Sequence, residues 1–89
     1  MTRRVNRPLT ENSEFGQMVA RMLRALARRA GGDPDALPQL QAAAMLADEL
    51  MRHAIDQLRA EGYSWAEIGK RLGMTRQGAQ QRYGLRAAS

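Results

Sequence analysis

Eighty-nine residues make one small domain with a limited core of its own. A formal net charge of +5 and a pI of about 11.0 suit a polyanionic partner, although charge alone does not separate DNA from RNA or acidic protein. The absence of cysteine excludes a disulfide framework, a thiolate metal site and a cysteine nucleophile. No stretch approaches the length of a membrane span, so a cytoplasmic, nucleoid-associated protein without membrane contact is expected.

Residues 1–12 read as a basic N-terminal arm. Arg3, Arg4 and Arg7 would run along phosphates or into a minor groove, the alternative being a frayed terminus. A first helix is expected from about Asn12 or Ser13 to about Ala30. Phe15, Met18, Val19, Met22, Leu23 and Leu26 recur at spacings of three and four and give it one apolar stripe. Arg21, Arg24, Arg28 and Arg29 lie off that stripe, either as a solvated face that suits the helix dipole or as a phosphate-contacting patch. Gly31 and Gly32 would stop the helix.

Asp33 and Pro34 restart the chain as a cap and a proline at the first helical position. Pro38 follows, so the chain makes either a short turn ending at Leu37 or a first helical turn that tolerates both prolines. A second helix, about 38–61, carries Leu40, Ala44, Ala47, Met51, Ala54 and Leu58 on one stripe, widened by Ala43, Leu46, Leu50 and Ile55. Asp48 with Arg52 and Asp56 with Arg59 have helix-supporting spacing. Gly62 closes this helix. Charge is segregated: residues 33–61 hold two arginines against six acids, whereas residues 1–32 hold seven arginines against two glutamates.

Residues 63–84, YSWAEIGKRLGMTRQGAQQRYG, carry start and stop signals for two short helices. Ser64 and Glu67 have the spacing of a capping box, and Tyr63 and Ile68 that of a hydrophobic staple. Gly73 ends the helix that starts at Trp65, Thr75 caps another from Arg76 to Tyr83, and Gly84 offers its stop. Gly69 is small where the helices cross. Met74 plugs the turn, and Ile68, Leu72 and Ala79 face inward. Arg76, Gln77, Gln80 and Gln81 lie on the other face, with arginine able to pair with guanine and glutamine with adenine in the major groove.

This segment resembles the helix-turn-helix of a large actinobacterial group of small regulators. It is also similar to the domain with which sigma factors read the upstream promoter element. The resemblance implies that the first helix braces the DNA backbone while the second enters the major groove. By position it makes Thr75, Arg76, Gln77, Gln80 and Gln81 the base-contacting residues. Ser64, Lys70, Arg71 and Arg82, with Arg3, Arg4 and Arg7 of the arm, would hold the backbone. Gly78 departs from the pattern, where relatives often carry alanine, and a helix-interior glycine costs roughly 0.5–1 kcal/mol relative to alanine.

The expected fold is therefore all-α: a long antiparallel helical hairpin (13–62), a helix-turn-helix (63–84) and a short tail (85–89). The C-terminal half of the second helix would complete a three-helix core. The hairpin carries more apolar surface than it can bury alone, which points to a homodimer through Met18, Met22, Leu46 and Leu50. The expected function is sequence-specific binding of double-stranded DNA by a dimeric transcriptional repressor of bacterial, plasmid or phage origin. Two alternatives stand beside it: an adaptor that binds RNA polymerase or another regulator, and an architectural DNA binder without base preference. His53 is the only histidine and reads as an ordinary helix residue, and the methionines read as core or contact residues. With no phosphate loop and no clustered carboxylates, neither catalysis, a metal nor a cofactor is expected.

Overall fold

A computed structural model describes residues 9–84, with side chains from residue 11 onward. The fold is all-α. Four α-helices follow one another, α1 (Leu9–Gly32), α2 (Leu37–Ala60), α3 (Trp65–Leu72) and α4 (Arg76–Ala79), and no strand occurs among the described residues. Arg3, Arg4, Arg7 and the tail 85–89 lie outside the described residues.

Helix α1 begins before the expected Asn12 or Ser13, so residues 9–12, read as part of the arm, are helical. Glu11 in its first turn favours that earlier start through the helix dipole. Its end also differs from expectation. Gly31 and Gly32 remain helical and neither takes a positive φ. The helix stops instead at Asp33, whose backbone is extended (φ −147°) and whose Oδ1 accepts from the Asp35 amide at 3.0 Å. That cap opens a 3-10 turn, Pro34–Ala36, closed by Ala36 N donating to Asp33 O at 3.0 Å. The chain thus reaches the second helix through the short turn rather than through a helical turn containing both prolines. Pro38 then falls in the first turn of α2, where a missing amide proton breaks no helical bond.

Helix α2 has 24 residues, about 36 Å at 1.5 Å per residue. Gly62, at φ 100°, ends it. Tyr63 N donates to Leu58 O and Gly62 N to Arg59 O, each at 3.0 Å, the paired bonds of a Schellman motif that only a left-handed residue allows.

The described residues form two compact units, 9–48 and 49–84, with the border inside α2. In the first, Ala30 is buried and Ala25, Leu26, Ala36, Leu40 and Ala43 are partly so. Farther from the turn the apolar stripe is bare: Phe15 is 65% exposed and Met22 67%. In the second unit Ile55, Ile68 and Tyr83 form the core, with Met51, Leu58, Tyr63, Trp65, Leu72 and Met74 packed on it. Burying each large apolar side chain contributes roughly 1.5–3 kcal/mol. This is the core expected from the C-terminal half of the second helix with the last two.

The last element corrects the expected helix Arg76 to Tyr83. Regular α-helix covers only Arg76–Ala79, after which Gln80–Gly84 winds as a π-helical turn. Tyr83 is buried in the core, and Gly84 lies against the Trp65 ring, where a Cβ would meet Cζ2 at 3.3 Å. Both contacts lie on the wider turn, and a Cβ at Gly84 would be tight against Trp65. Gly84 thus serves as a packing contact and not as a left-handed stop.

Candidate nucleic-acid interface

The frame of the site is set by caps. Ser64 has an extended backbone (φ −83°, ψ 161°), its Oγ accepts from Glu67 N at 3.0 Å, and Ser64 N donates to Glu67 Oε1 at 2.9 Å. Both halves of the capping box are present, which satisfies two amides that the start of α3 would otherwise leave open. Tyr63 packs against the core cluster that contains Ile68, as a staple would place it. Helix α3 ends at Gly73, whose φ of 69° is left-handed. Thr75 then takes an extended backbone and its Oγ1 accepts from Gly78 N at 3.0 Å, starting α4.

Gly69 sets how closely the turn returns to α3. A Cβ there would lie 2.8 Å from Met74 O and 3.0 Å from Thr75 O, both backbone atoms that cannot swing aside. Met74 N donates to Gly69 O at 2.8 Å, so the two segments touch through main chain. Met74 is half-buried against the core. Helix α4 therefore leaves the turn in a direction fixed by backbone contact, with Ala79 fully buried beneath it.

What this frame presents is polar. Thr75, Arg76, Gln77, Gln80 and Gln81 are all exposed. They do not form one straight α-helical row: Thr75, Arg76 and Gln77 stand at the cap and first turn, while Gln80 and Gln81 sit on the π-helical turn. Thr75 Oγ1 is engaged as the cap acceptor, so its first role is to orient α4. Ser64 is engaged in the same way at the head of α3.

Lys70 and Arg71 are exposed at the end of α3, beside the turn. Arg71 Nη1 donates to Glu67 O at 3.0 Å, a bond that uses one of the five donors of an exposed guanidinium. Arg82 is exposed, with its guanidinium carbon 5.6 Å from the Tyr83 ring centroid. Met18, Met22, Leu46 and Leu50 are 42%, 67%, 54% and 52% exposed, the first two on α1 and the last two on α2.

Two residues that matter here carry no sequence signal of their role. Arg59 lies 4.9 Å from the Trp65 ring centroid, and its Nη1 donates to Tyr63 O at 2.9 Å, tying the end of α2 to the start of α3. Arg52 lies 5.9 Å from the Tyr83 centroid. Sequence spacing shows both only as helix-supporting partners of Asp56 and Asp48, because a stacking partner from another element leaves no periodic signal. Among the described residues no group of three His, Asp or Glu side chains could hold a metal, and no helix is long and apolar enough to cross a membrane.

No family model and no solved structure matches the chain. Over 42 residues, 47% of its length, it is 50% identical to uncharacterized proteins of Mycobacterium tuberculosis (strains H37Rv and CDC 1551) and of Mycobacterium bovis (strain AF2122/97). The chain spans 17% of the length of these curated relatives.

Proposed function

We propose that this chain binds double-stranded DNA in a sequence-specific way through α3 and α4, and acts as a homodimeric transcriptional repressor on the nucleoid of the cytoplasm. The observation that carries the reading is the backbone contact at Gly69 between two capped helices. It fixes the direction of α4 while Arg76, Gln77, Gln80 and Gln81 stay exposed. A rigidly aimed, uncharged-to-basic polar face is what base reading requires. In this reading Arg76, Gln77, Gln80 and Gln81 meet base edges, Thr75 aims them, and Ser64, Lys70, Arg71 and Arg82 hold phosphates.

Selection of bound sequences from a random DNA pool, followed by affinities of Gln77→Ala and Lys70→Ala for the selected site and its single-base variants, tests it. Gln77→Ala should flatten preference at one base position per half-site, a loss of about 1–3 kcal/mol of discrimination. Lys70→Ala should weaken all sequences alike and reduce the salt slope by about one. Uniform loss in both variants would leave an architectural DNA binder.

The bare apolar face of α1 and α2 favours a second reading, an adaptor for RNA polymerase or another regulator, with the helix-turn-helix as a packing unit. Failure of the pool to yield any bound DNA would select it.

A further inference from the structure

Two bare apolar stripes occur in each chain. On α1, Phe15, Met18, Val19, Met22 and Leu23 are 40–67% exposed, and on α2, Met45, Leu46 and Leu50 are 52–66% exposed. The two stripes also match in layout. Met18 and Met22 are four apart with Arg21 three residues after the first of them. Leu46 and Leu50 are four apart with Glu49 in the same place. Residues three and four apart share a helix face, so one stripe is bordered by a cation where the other is bordered by an anion. Antiparallel helices are related by a twofold across the contact, which brings like border positions together. Pairing α1 with α1 would therefore set Arg21 against Arg21, and α2 with α2 would set Glu49 against Glu49. Only α1 against α2 brings opposite charges together.

Within the chain, that pairing leaves Phe15, Met18, Met22, Met45, Leu46 and Leu50 exposed. Asp33 to Ala36 is a capped 3-10 turn containing Pro34, directly followed by Leu37 and Pro38, and the stripes on either side of it are exposed. We propose that a second copy of this chain covers both stripes at once in an exchanged dimer. In it α1 of each copy lies antiparallel on α2 of the other, Met22 facing Leu46 and Met18 facing Leu50, with Arg21 beside Glu49. One twofold then closes both contacts and leaves no stripe free to propagate an open chain.

The pairing rests on the homodimer proposed above, and the test separates the two. The chain has no cysteine, so the variant Met22→Cys/Leu46→Cys contains only the probe thiols. Light scattering of the wild type at micromolar concentration should report twice the chain mass. After oxidation the double variant should run at dimer mass on a denaturing, non-reducing gel, and Met22→Cys alone should stay uncrosslinked. Arg21→Glu should raise the dimer dissociation constant several-fold, and Arg21→Glu/Glu49→Arg should restore it. A dimer with Met22→Cys self-linked would overturn the exchanged pairing and leave the dimer standing. A wild-type monomer whose double variant closes on itself at monomer mass would overturn both. The DNA-binding reading is measured separately and survives either result.

Discussion

Gly69 and Ser64 show how differently two residues of one motif act. Ser64 is exposed and its capping box can be replaced in part by water, so Ser64→Ala should cost about 0.5–2 kcal/mol. Gly69→Ala adds one methyl group at 2.8 Å from a backbone carbonyl oxygen that is itself part of the turn. Relief requires moving main chain, and overpacking of this kind costs typically about 1–3 kcal/mol. The expected order, from urea denaturation midpoints, is Gly69→Ala less stable than Ser64→Ala and both less stable than wild type. An unchanged midpoint for Gly69→Ala would mean that the turn stands off α3 farther than the 2.8 Å approach implies. Gly78 is the contrasting case. Its Cβ would sit 3.1 Å from Thr75 Oγ1, the oxygen that accepts from its own amide. The helix-propensity gain of about 0.5–1 kcal/mol is thereby offset by crowding of the cap. Gly78→Ala should consequently lie within about 0.5 kcal/mol of wild type, and a full gain would show that the cap gives way freely.

At the scale of elements, caps are legible in the sequence and packing is not. Ser64, Glu67, Gly73 and Thr75 act through bonds within three or four residues of themselves, so spacing alone locates α3 and the start of α4. Gly31 and Gly32 mislead, because a glycine permits a helix end without requiring one, and the decisive cap is Asp33. The π-helical turn Gln80–Gly84 has no local signature, since it depends on Tyr83 reaching the Ile55 and Ile68 core and on Gly84 meeting Trp65. Of the candidate site, the exposed polar face follows from periodicity, whereas its division between two kinds of turn does not. Trp65 makes this junction measurable, being the only tryptophan. With Arg59 stacked 4.9 Å from its ring, Arg59→Ala should shift its emission and lower stability by about 0.5–1 kcal/mol. Emission and midpoint both unchanged would show that the stacking contributes nothing.

For the whole molecule, the two compact units separate the two proposed tasks, association and DNA reading. The apolar stripe on α1 belongs to residues 9–48 and the polar face proposed to read DNA to residues 49–84, while α2 runs through both. A charge placed on the stripe should therefore spoil association without unfolding the reader. Met22 is 67% exposed, so Met22→Glu loses little packing in the single chain but sets a carboxylate inside the proposed dimer contact, where an unpaired buried charge is costly. Linking two readers through that contact makes the second binding event intramolecular, which is worth roughly 10²–10⁴ in avidity without any new DNA contact. The selected DNA site should accordingly be an inverted repeat. Against it, Met22→Glu should lose affinity by a factor of that size, yet bind an isolated half-site as the wild type does, with unchanged Trp65 emission. Equal losses on both DNAs would mean that the substitution had damaged the reader. Full affinity for the inverted repeat would mean that the two readers are not joined through α1.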